Sequence, residues 1–476
     1  MVVTCQQMQS AEARLFADGT PAEPQMNQAG HRCAEAIRKT ESEPGRATLF
    51  CGSGNNGGDA LVVGTWLRKW GWQVGVKFSH PPVNRTELSR KKLREFEAVP
   101  DGAGGECRIL VDGLLGIGAK GALRDSVSEL AAEMNRIREE ESARTFAIDI
   151  PSGVDGDTGE IYGGAVKADH TLTICVPKQG LLSERSINHV GRLHLIPLPE
   201  IPVEEGDSSL TLLCPETLHS CFPTREFDTH KGKAGRVTIV AGSRGLTGAA
   251  VLSSLGALHS GAGLVSVFVP EEIYTIVASQ APVDVMVRPY GQSIEQIVNH
   301  PADVMAIGPG LGSEVNNELL EFAAAGDTKM VLDADMLNWL ASKPDLLSGF
   351  PAGKRVLTPH PGELARLSSI EGDRINTART LAEKWNVTLL YKGARTVIAT
   401  PGTFTTVNST GTPSMASGGM GDVLTGMVAS LAAQGLSLHN AAGAGSWALG
   451  RAAELTPKAV TARKVAETLG TALQEL

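Results

Sequence analysis

Two short glycine-rich segments of the sequence contain an aspartate at or near their end, and both combine residue types that could do chemistry. The first is CGSGNNGGDA (51–60), in which Gly52, Gly54 and Gly57 satisfy the G-x-G-x-x-G pattern of dinucleotide-binding loops. The second is SGGMGD (417–422), in which consecutive glycines expose backbone amides that could bind an anion. A carboxylate beside such a site can accept a proton from a hydroxyl group, so both segments are candidate active-site loops.

The first segment is compatible with two kinds of ligand. A dehydrogenase loop requires an acid about 20 positions beyond its glycines. Lys77 and His80 stand near that place instead, and they would suit a 2′-phosphate. Asp59 would compete with a phosphate at the helix amino terminus, although it could also simply cap the helix at Ala60. A ligand other than pyrophosphate is therefore favoured, with the dehydrogenase loop as the alternative.

Two further acids follow apolar runs that predict strands: Asp112 follows 108–111 and Asp149 follows 145–148. Ligands of doubly wound sheets bind beyond the carboxyl ends of the strands. The side chains that could converge there are Asn55, Asn56, Asp59, Asp112, Asp149 and Ser152. Their oxygen atoms suit a hard cation rather than zinc. The alternative is that Asp112 and Asp149 only end strands and begin turns.

Asp422, in the second segment, would lie in the first turn of an apolar helix whose dipole would keep it ionised. Four further motifs could join it: GPGLG (308–312), LDADMLN (332–338), TPHPGE (358–363) and YKGART (391–396). The last could place Lys392 and Arg395 near a nucleotide. His360 stands in a rigid proline-flanked turn, where a single histidine is usually structural. The alternative for Asp422 is a helix cap behind a close-packed glycine turn.

Alternating strands and helices must position these loops. Strands are predicted at 47–51, 73–78, 108–111, 145–150, 171–175, 192–196, 237–241, 264–268, 304–307, 330–332, 387–391 and 396–399. Helices are predicted at 84–99, 126–140 and 249–259, and the chain from 419 onward is mostly helical. This alternation is typical of an α/β fold with parallel, doubly wound sheets.

The length of 476 residues is too great for one ordinary core, which predicts two domains. The stretch IPLPEIPVEEGDSS (196–209) is rich in proline and acid and lacks periodicity, as linkers do. We therefore expect one domain over 1–205 and another over 226–476.

Composition limits the classes of partner. A formal net charge of −9 argues against a nucleic-acid surface. Seven scattered cysteines without a C-x-x-C pair indicate a reducing compartment. No apolar run approaches the length needed to span a membrane, and the amino terminus lacks a basic start followed by an apolar core. The sequence predicts a cytoplasmic protein that binds neither nucleic acid nor membrane.

In order, GSGNNGGD, VDGLLGIG (111–118), IDIPSGVDGDTG (148–159) and ADHTLTICVPKQGLL (168–182) resemble the NAD(P)H-hydrate epimerase family over roughly 1–200. The resemblance implies a Rossmann-like domain that binds hydrated NAD(P)H and potassium, with Asp149 as the acid–base group. It implies potassium ligands at Asn56, Asp112 and Ser152. The substrate site would be lined by Asn55, Asn56, Gly57, Gly58, Asp59, Gly116, Ile117, Gly118, Ala119, Lys120, Gly121 and Ala122.

Three positions depart from that family's pattern. Ala60 replaces a usual glycine, Ile117 replaces the threonine of a GTG loop, and Asn27 stands where an acid is common. A first domain that binds its ligand without catalysis is therefore an alternative.

The second half resembles the ribokinase-like ADP- or ATP-dependent NAD(P)H-hydrate dehydratases over roughly 226–476, through KGKAGRVTIVAGSRGLTGAA (231–250) and the five motifs named above. The resemblance implies Asp422 as the base and magnesium with ADP or ATP. The nucleotide would contact Lys392, Gly393, Ala394, Arg395, Thr396, Gly418, Gly419, Met420 and Gly421. The hydrate would contact Ala249, Gly310 and His360. Met420 replaces the family's usual threonine.

Both resemblances imply the same metabolite, and their succession resembles the bifunctional NAD(P)H-hydrate repair enzymes. The function expected is epimerisation of the R and S hydrates of NADH or NADPH, followed by nucleotide-dependent dehydration of the S form. We also expect a homo-oligomer. The alternative function is a ribokinase-type small-molecule kinase joined to a non-catalytic nucleotide-binding module.

Overall fold

The computed structural model describes residues 1–203, 206–207, 209–370, 372–456 and 460–476. Contacts between residues divide the chain into two compact units, Met1–Ser208 and Ser209–Leu476. The expected end of the first domain at 205 lies outside the described residues. Residues 209–225, which the sequence left outside both expected domains, belong to the second unit.

The first unit contains a six-stranded sheet in the order β2-β1-β3-β4-β5-β6, and every neighbouring pair is parallel. Its strands are β1 (Arg46–Cys51), β2 (Gln73–Phe78), β3 (Cys107–Gly113), β4 (Arg144–Ile148), β5 (His170–Ile174) and β6 (Arg192–Ile196). Its helices are α1 (Cys5–Ala17), α2 (Ala22–Thr40), α3 (Asn55–Lys69), α4 (Glu87–Glu97), α5 (Asp125–Glu141) and α6 (Ile187–Val190). The strand order reverses direction at β1, which opens a crevice where β1 and β3 end.

The periodicity of this sheet explains its two cores. Leu49 and Phe50 are adjacent in β1, yet they pack in different clusters because successive strand residues point to opposite faces. Leu49 packs with residues of α2 and α3, and Phe50 packs with residues of α5. The sheet is thus covered on both faces, as the apolar strands predict.

The second unit contains a ten-stranded sheet in the order β10-β9-β8-β11-β12-β13-β14-β15-β16-β7. All pairs are parallel except β14 with β15 and β15 with β16. Its strands are β7 (Leu210–Leu212), β8 (Arg236–Val240), β9 (Leu264–Pro270), β10 (Val285–Tyr290), β11 (Val304–Ile307), β12 (Lys329–Leu332), β13 (Arg355–Leu357), β14 (Thr388–Tyr391), β15 (Thr396–Ala399) and β16 (Thr405–Asn408).

Helices surround this second sheet. They are α7 (Pro215–Leu218), α8 (Thr247–His259), α9 (Tyr274–Gln280), α10 (Glu295–Val298), α11 (Asn317–Ala325), α12 (Asp335–Ser342), α13 (Pro361–Leu367), α14 (Arg374–Trp385), α15 (Met420–Ala433), α16 (Leu438–Leu455) and α17 (Ala462–Leu473). Helices α8 and α15 cross at close range. A Cβ atom on Gly256 would lie 2.1 Å from the carbonyl oxygen of Val423, and one on Gly426 would lie 1.9 Å from that of Ser253. This contact fixes the start of α15 against α8.

All twelve strands predicted from the sequence are present, with bounds that shift by up to two residues. The sequence missed β7, β10, β13 and β16. Three of these have three or four residues, which is too short for periodicity to be recognised, and β10 contains arginine and proline. In the part of the chain that the structure describes, no helix combines the length and the apolar character that crossing a membrane requires.

Candidate functional site

A cavity of about 500 Å³ lies in the first unit, beside the carboxyl ends of β1, β3, β4 and β5. Its walls come from α1, α2, the first glycine loop, the loop after β3 and the segments after β4 and β5. The polar side chains that line it are Gln9, Glu12, Gln25, Ser53, Asn55, Asn56, Asp59, Asp149 and Lys178. The predicted convergence of two strand-end loops is therefore present in the folded chain.

Glycines set the spacing between the two loops. A Cβ atom on Gly52 would lie 1.9 Å from the carbonyl oxygen of Leu114, and one on Gly57 would lie 2.3 Å from that of Gly52. Asn56 then joins the loops by donating from Nδ2 to the carbonyl oxygen of Leu115 at 2.7 Å. The glycines of this loop thus serve close packing within the chain.

Asp112 and Ser152 lie behind the cavity wall and hold the loop after β3. Asp112 is fully buried and accepts hydrogen bonds from the amide and hydroxyl of Ser152, both at 2.7 Å, and from the amide of Leu114 at 3.1 Å. The hydroxyl of Ser152 accepts from the amide of Leu115 at 3.0 Å. Burial raises the pKa of Asp112 to about 6, although the hydrogen bonds from Ser152 and Leu114 lower it.

Asp149 points into the cavity from a strained backbone. Its φ is +65°, a region that costs a non-glycine residue about 1–3 kcal/mol. Its amide donates to the carbonyl oxygen of Leu172 at 2.9 Å, and its carboxylate accepts from the amide of Ile174 at 3.0 Å. The same carboxylate forms an ion pair with Lys178, which is 1% exposed. Asp149 does more than end its strand, because the fold holds its carboxylate at the cavity.

Glu12 and Asp59 add two carboxyl groups to the same cavity. Burial and the nearby charge of Asp149 raise the pKa of Glu12 to about 7, although Lys178 lowers it. Burial, Asp149 and Glu12 raise the pKa of Asp59 well above its usual range. Three carboxyl groups beside the glycine loop disfavour a pyrophosphate there. Glu12 and Lys178 were not among the residues expected from the sequence, although Lys178 follows β5 within the segment 168–182.

The structure corrects the helix start assumed for Asp59. Helix α3 begins at Asn55 after the N-cap Gly54, so Asp59 lies in the second turn and does not cap the helix at Ala60. The sequence predicted a later start of α3 because the four residues of its first turn are asparagine and glycine, which have low helix propensity.

The expected substrate residues divide into two groups. Those that line the cavity are Asn55, Asn56, Asp59, Gly116, Ile117, Gly118 and Ala119. Gly57 and Gly58 are buried against Gly52 and Met26. Lys120, Gly121 and Ala122 are exposed, and Lys120 lies 3.8 Å from Asp157.

The three departures from the epimerase pattern differ in location. Ala60 is fully buried, and a Cβ atom on Gly113 would lie 2.6 Å from its methyl group, so this residue belongs to the α3–β3 contact. Asn27 is exposed on α2, whereas Gln25 and Met26 line the cavity. Ile117 does line the cavity. Of the three, Ile117 is the one placed to change the ligand surface.

In the second unit, Asp422 is the third residue of α15, which begins after the N-cap Gly419 at a φ of +90°. The N-cap position has no side-chain hydrogen bond, and Asp422 does not cap the helix. Lys392 lies beside this turn: a Cβ atom on Gly421 would lie 3.4 Å from its Nζ atom and 3.6 Å from Oδ2 of Asp333. The glycine turn, YKGART and LDADMLN therefore meet at the start of α15.

Asp333 organises this meeting point. It is 1% exposed, accepts from Nζ of Lys392 at 2.7 Å and accepts from the hydroxyl of Thr425 at 2.6 Å. Lys392 also lies 3.7 Å from the carboxylate of Glu363. Burial lowers the pKa of Lys392, but Asp333, Glu363 and Asp422 outweigh it, so the pKa stands above its usual value. The charged lysine is thus held among carboxylates.

The net shift of the Asp422 pKa is opposite to the one expected from the helix dipole. Burial, Asp333 and Asp335 raise the pKa of Asp422 to about 7, and Lys392 opposes the rise. Desolvation and like charges outweigh a dipole effect of at most about 2 kcal/mol. A carboxylate with such a pKa can take up and release a proton near neutral pH.

The remaining motifs pack around Asp333 and α8. A Cβ atom on Gly308 would lie 1.8 Å from the carbonyl oxygen of Asp333, and one on Gly310 would lie 2.8 Å from the Cβ atom of Ala249. The φ values of Gly308 and Gly310 are +134° and +63°. Only glycine suits such a close approach at these angles.

His360 has the structural role that its turn suggested. It is the N-cap of α13, and its Nδ1 atom accepts from the amide of Gly362 at 3.0 Å and from that of Glu363 at 3.4 Å. Glu363 completes the capping box by accepting from the amide of His360 at 2.8 Å. The half-exposed Nε2 edge is not used by the cap and lies 3.5 Å from Glu363.

The other expected nucleotide residues take different positions. Arg395 is 3% exposed, and burial lowers its pKa to about 10. Thr396 accepts from the amide of Gly393 at 3.2 Å and donates to its carbonyl oxygen at 2.9 Å, which fixes the YKGART turn. Gly418 has open space where a Cβ atom would stand, and Met420 packs in the core. The side chain that replaces threonine at 420 therefore points away from the glycine turn.

Among the described residues, no group of three or more His, Cys, Asp or Glu side chains could hold a metal ion. The expected potassium ligands include one carboxylate, and magnesium commonly reaches a site with nucleotide phosphates and few protein ligands. Neither expected cation requires such a cluster.

Two family models match different parts of the chain, one within each compact unit. The family model described as NAD(P)H-hydrate dehydratase matches residues 237–475, and that described as YjeF-related protein N-terminus matches residues 22–180. The bifunctional NAD(P)H-hydrate repair enzyme of Moorella thermoacetica is 36% identical over 473 residues, covering 90% of this chain and 87% of that protein. The enzyme of the same name from Escherichia coli is 34% identical over 451 residues, covering 90% and 84%.

One solved structure supports the fold of the second unit. A ribokinase-like superfamily protein from Enterococcus faecalis is 26% identical, with a TM-score of 0.51, and the match covers 57% of this chain and 98% of that one.

Proposed function

Because this chain belongs to the family of bifunctional NAD(P)H-hydrate repair enzymes, we propose that it repairs hydrated NADH and NADPH in two steps. The first unit interconverts the R and S hydrates. The second unit dehydrates the S hydrate at the expense of ADP or ATP. The observation that carries the proposal is that each unit holds an acidic site of its own, one around Asp149 and one around Asp422.

In the first unit, Asp149 is the acid–base group at the hydrated carbon. The ion pair with Lys178 and the hydrogen bond from Ile174 hold its carboxylate at the cavity wall. Asn55, Asn56 and Asp59 line the same cavity with the loop Gly116–Ala119. The volume of about 500 Å³ is in the range of small-molecule sites, so a nicotinamide nucleotide can be bound there.

Three residues at and behind the cavity wall fit potassium. Asn56, Asp112 and Ser152 are linked through the loop after β3 and offer amide, carboxylate and hydroxyl oxygens. Asp112 is fully buried, and its raised pKa marks a negative charge that a cation would stabilise. These three residues would hold the ion, which would supply positive charge and order beneath the ligand loop.

In the second unit, Asp422 takes the proton of the substrate hydroxyl as that oxygen bonds to the terminal phosphoryl group. The resulting phosphate ester then eliminates, which restores the ring double bond. Lys392 and the amides of Gly418–Gly421 stabilise the phosphoryl charge. Magnesium bound with the nucleotide would neutralise its phosphates. The pKa of about 7 suits Asp422 to this proton transfer at neutral pH.

The test uses the whole chain, a mixed R/S hydrate of NADPH, magnesium and ADP or ATP, with potassium present or absent. Recovery of NADPH is followed by its absorbance. We expect full recovery with potassium, and rapid recovery of only the S fraction without it. A stable phosphorylated product in ³¹P NMR would instead indicate a ribokinase-type kinase, and absence of NADPH recovery with either nucleotide would contradict the proposal.

The seven cysteines are all free, and five are buried. Free thiols persist in a reducing compartment, which supports the further proposal of a cytoplasmic location.

A further inference from the structure

Epimerisation at a hydroxylated carbon gives a proton to the oxygen that departs from one face and takes a proton from the oxygen that adds to the other, and two groups on different sides of the ring can divide these steps. We propose that Glu12 of α1 is the second catalytic residue of the first unit and works as the acid–base partner of Asp149. This inference rests on the epimerase activity proposed above.

The geometry places both groups in one cavity from different elements. Glu12 lines the cavity from α1, and Asp149 lines it from the segment after β4. The titratable side chains that line it, among the residues that the structure describes, are Glu12, Asp59, Asp149 and Lys178. A substrate ring between α1 and the end of β4 would therefore meet one carboxyl group from each of these elements.

Helix α1 is anchored at the same place as Lys178. Val3, just before the helix, donates to the carbonyl oxygen of Pro177 at 3.0 Å and accepts from the amide of Gln179 at 3.0 Å. The amide of Cys5 donates to Asp157 at 2.6 Å, and a capping box between Thr4 and Gln7 starts the helix. These bonds fix the first turn of α1 beside the lysine that pairs with Asp149, so Glu12 approaches the cavity from a rigid support.

The protonation states suit the two roles. Burial and Asp149 bring the pKa of Glu12 to about 7, so this group both holds and releases a proton at neutral pH. Asp149 is held in an ion pair with Lys178. Burial, Asp149 and Glu12 raise the pKa of Asp59 well above its usual range, so the fold disfavours the charged form of this side chain. Glu12 faces the cavity from a separate element and has a pKa near neutrality, which suits it to act as the partner of Asp149.

The proposed chemistry balances without another reactant besides water. Hydration of an enamine puts the hydroxyl on the carbon bonded to nitrogen, because protonation of the other carbon leaves a C=N cation there. Glu12 gives its proton to that hydroxyl, the C–O bond breaks as the nitrogen lone pair forms the C=N bond, and water leaves. Water then adds to the other face, the C=N electron pair returns to nitrogen, and Asp149 takes the released proton. Exchange with solvent restores both groups.

The test compares Glu12→Gln with Glu97→Gln in the full chain, using pure R hydrate without nucleotide and chromatography to measure the S hydrate. Glu97 is exposed at the end of α4 and does not line the cavity, so its variant matches the charge change. We expect Glu12→Gln to slow epimerisation by about 100-fold or more, the usual contribution of general acid–base catalysis. The rate of the unaltered chain should fall above about pH 7, and Glu12→Gln should remove that fall.

Dehydration of pure S hydrate with ATP should be the same in all three proteins, which shows that the variants are folded. An epimerisation rate of Glu12→Gln within threefold of the unaltered chain overturns the inference, and so does a slowed variant that keeps the fall above pH 7. If Glu12→Gln does not fold, Glu12→Asp tests the inference instead. Its epimerisation rate should still fall at high pH, but with the midpoint of the fall at a different pH, and an unchanged midpoint overturns the inference. Lack of R-to-S conversion in the unaltered chain would instead contradict the proposed epimerase.

Discussion

Replacing Asp422 with asparagine should abolish dehydration and at the same time stabilise the protein above neutral pH. The side chain is mostly buried at the start of α15, where Asp333 and Asp335 also disfavour its charge. Asparagine has nearly the same shape and no charge to desolvate. It removes the base, however, so turnover of the S hydrate should fall by at least about 100-fold.

The size of the stability effect follows from the pKa. Burial and the two aspartates raise the pKa of Asp422 from 3.8 to about 7. Between these values the folded state binds the proton and the unfolded state does not, so stability decreases as the pH rises. Three units at about 1.4 kcal/mol each give a cost of roughly 4 kcal/mol above pH 7. From pH 5 to pH 7, the advantage of Asp422→Asn should grow by about 3 kcal/mol and then stay constant.

The assay is thermal unfolding of the nucleotide-free chain at pH 5 and pH 8, together with recovery of NADPH from S hydrate. At about 2 °C per kcal/mol, Asp422→Asn should unfold roughly 8 °C higher than the unaltered chain at pH 8. Asp345→Asn is the control, since Asp345 is exposed in the same unit. A midpoint that does not rise at pH 8, or an advantage equal at both pH values, would refute the argument from burial. Undiminished turnover would refute the role as base.

Two further predictions concern the first unit. Lys178→Met should leave the Asp149 carboxylate buried without its partner and lower the free energy of unfolding by about 3 kcal/mol. Lys120→Met, at an exposed ion pair, should lower it by less than about 1 kcal/mol. Equal denaturation midpoints of the two variants would contradict this prediction. Gly52→Ala should prevent correct folding of the loop pair because its methyl group would lie 1.9 Å from a carbonyl oxygen, whereas Gly54→Ala meets open space. Circular dichroism and the rate of R-hydrate conversion, measured for both alanine variants, test the prediction for Gly52. A fully active Gly52→Ala variant would contradict it.

Local signals were sufficient to predict the architecture and most of the loops. Apolar runs identified β1, β3 and β4, whose residues are mostly buried, because a strand buried on both faces is apolar nearly throughout. Glycines next to acids identified the loops of Asp59 and Asp422, since only glycine allows such close approach of backbones, and the end of a predicted strand identified Asp149. The start of α3 was placed too late, because asparagine and glycine in its first turn have low propensity and the tertiary packing of Gly57 against Gly52 overrides it.

Sequence alone thus determined the alternation of strands and helices, the two α/β units and the loops that end at the carboxyl edges of their sheets. These properties depend on residues a few positions apart. The tertiary structure decided which carboxyl groups share a cavity and how tightly each holds a proton. Glu12 meets Asp149, and Asp333 meets Lys392 and Asp422, only through contacts between distant segments. Because a pKa depends on burial and on neighbouring charges in space, no local pattern contains it.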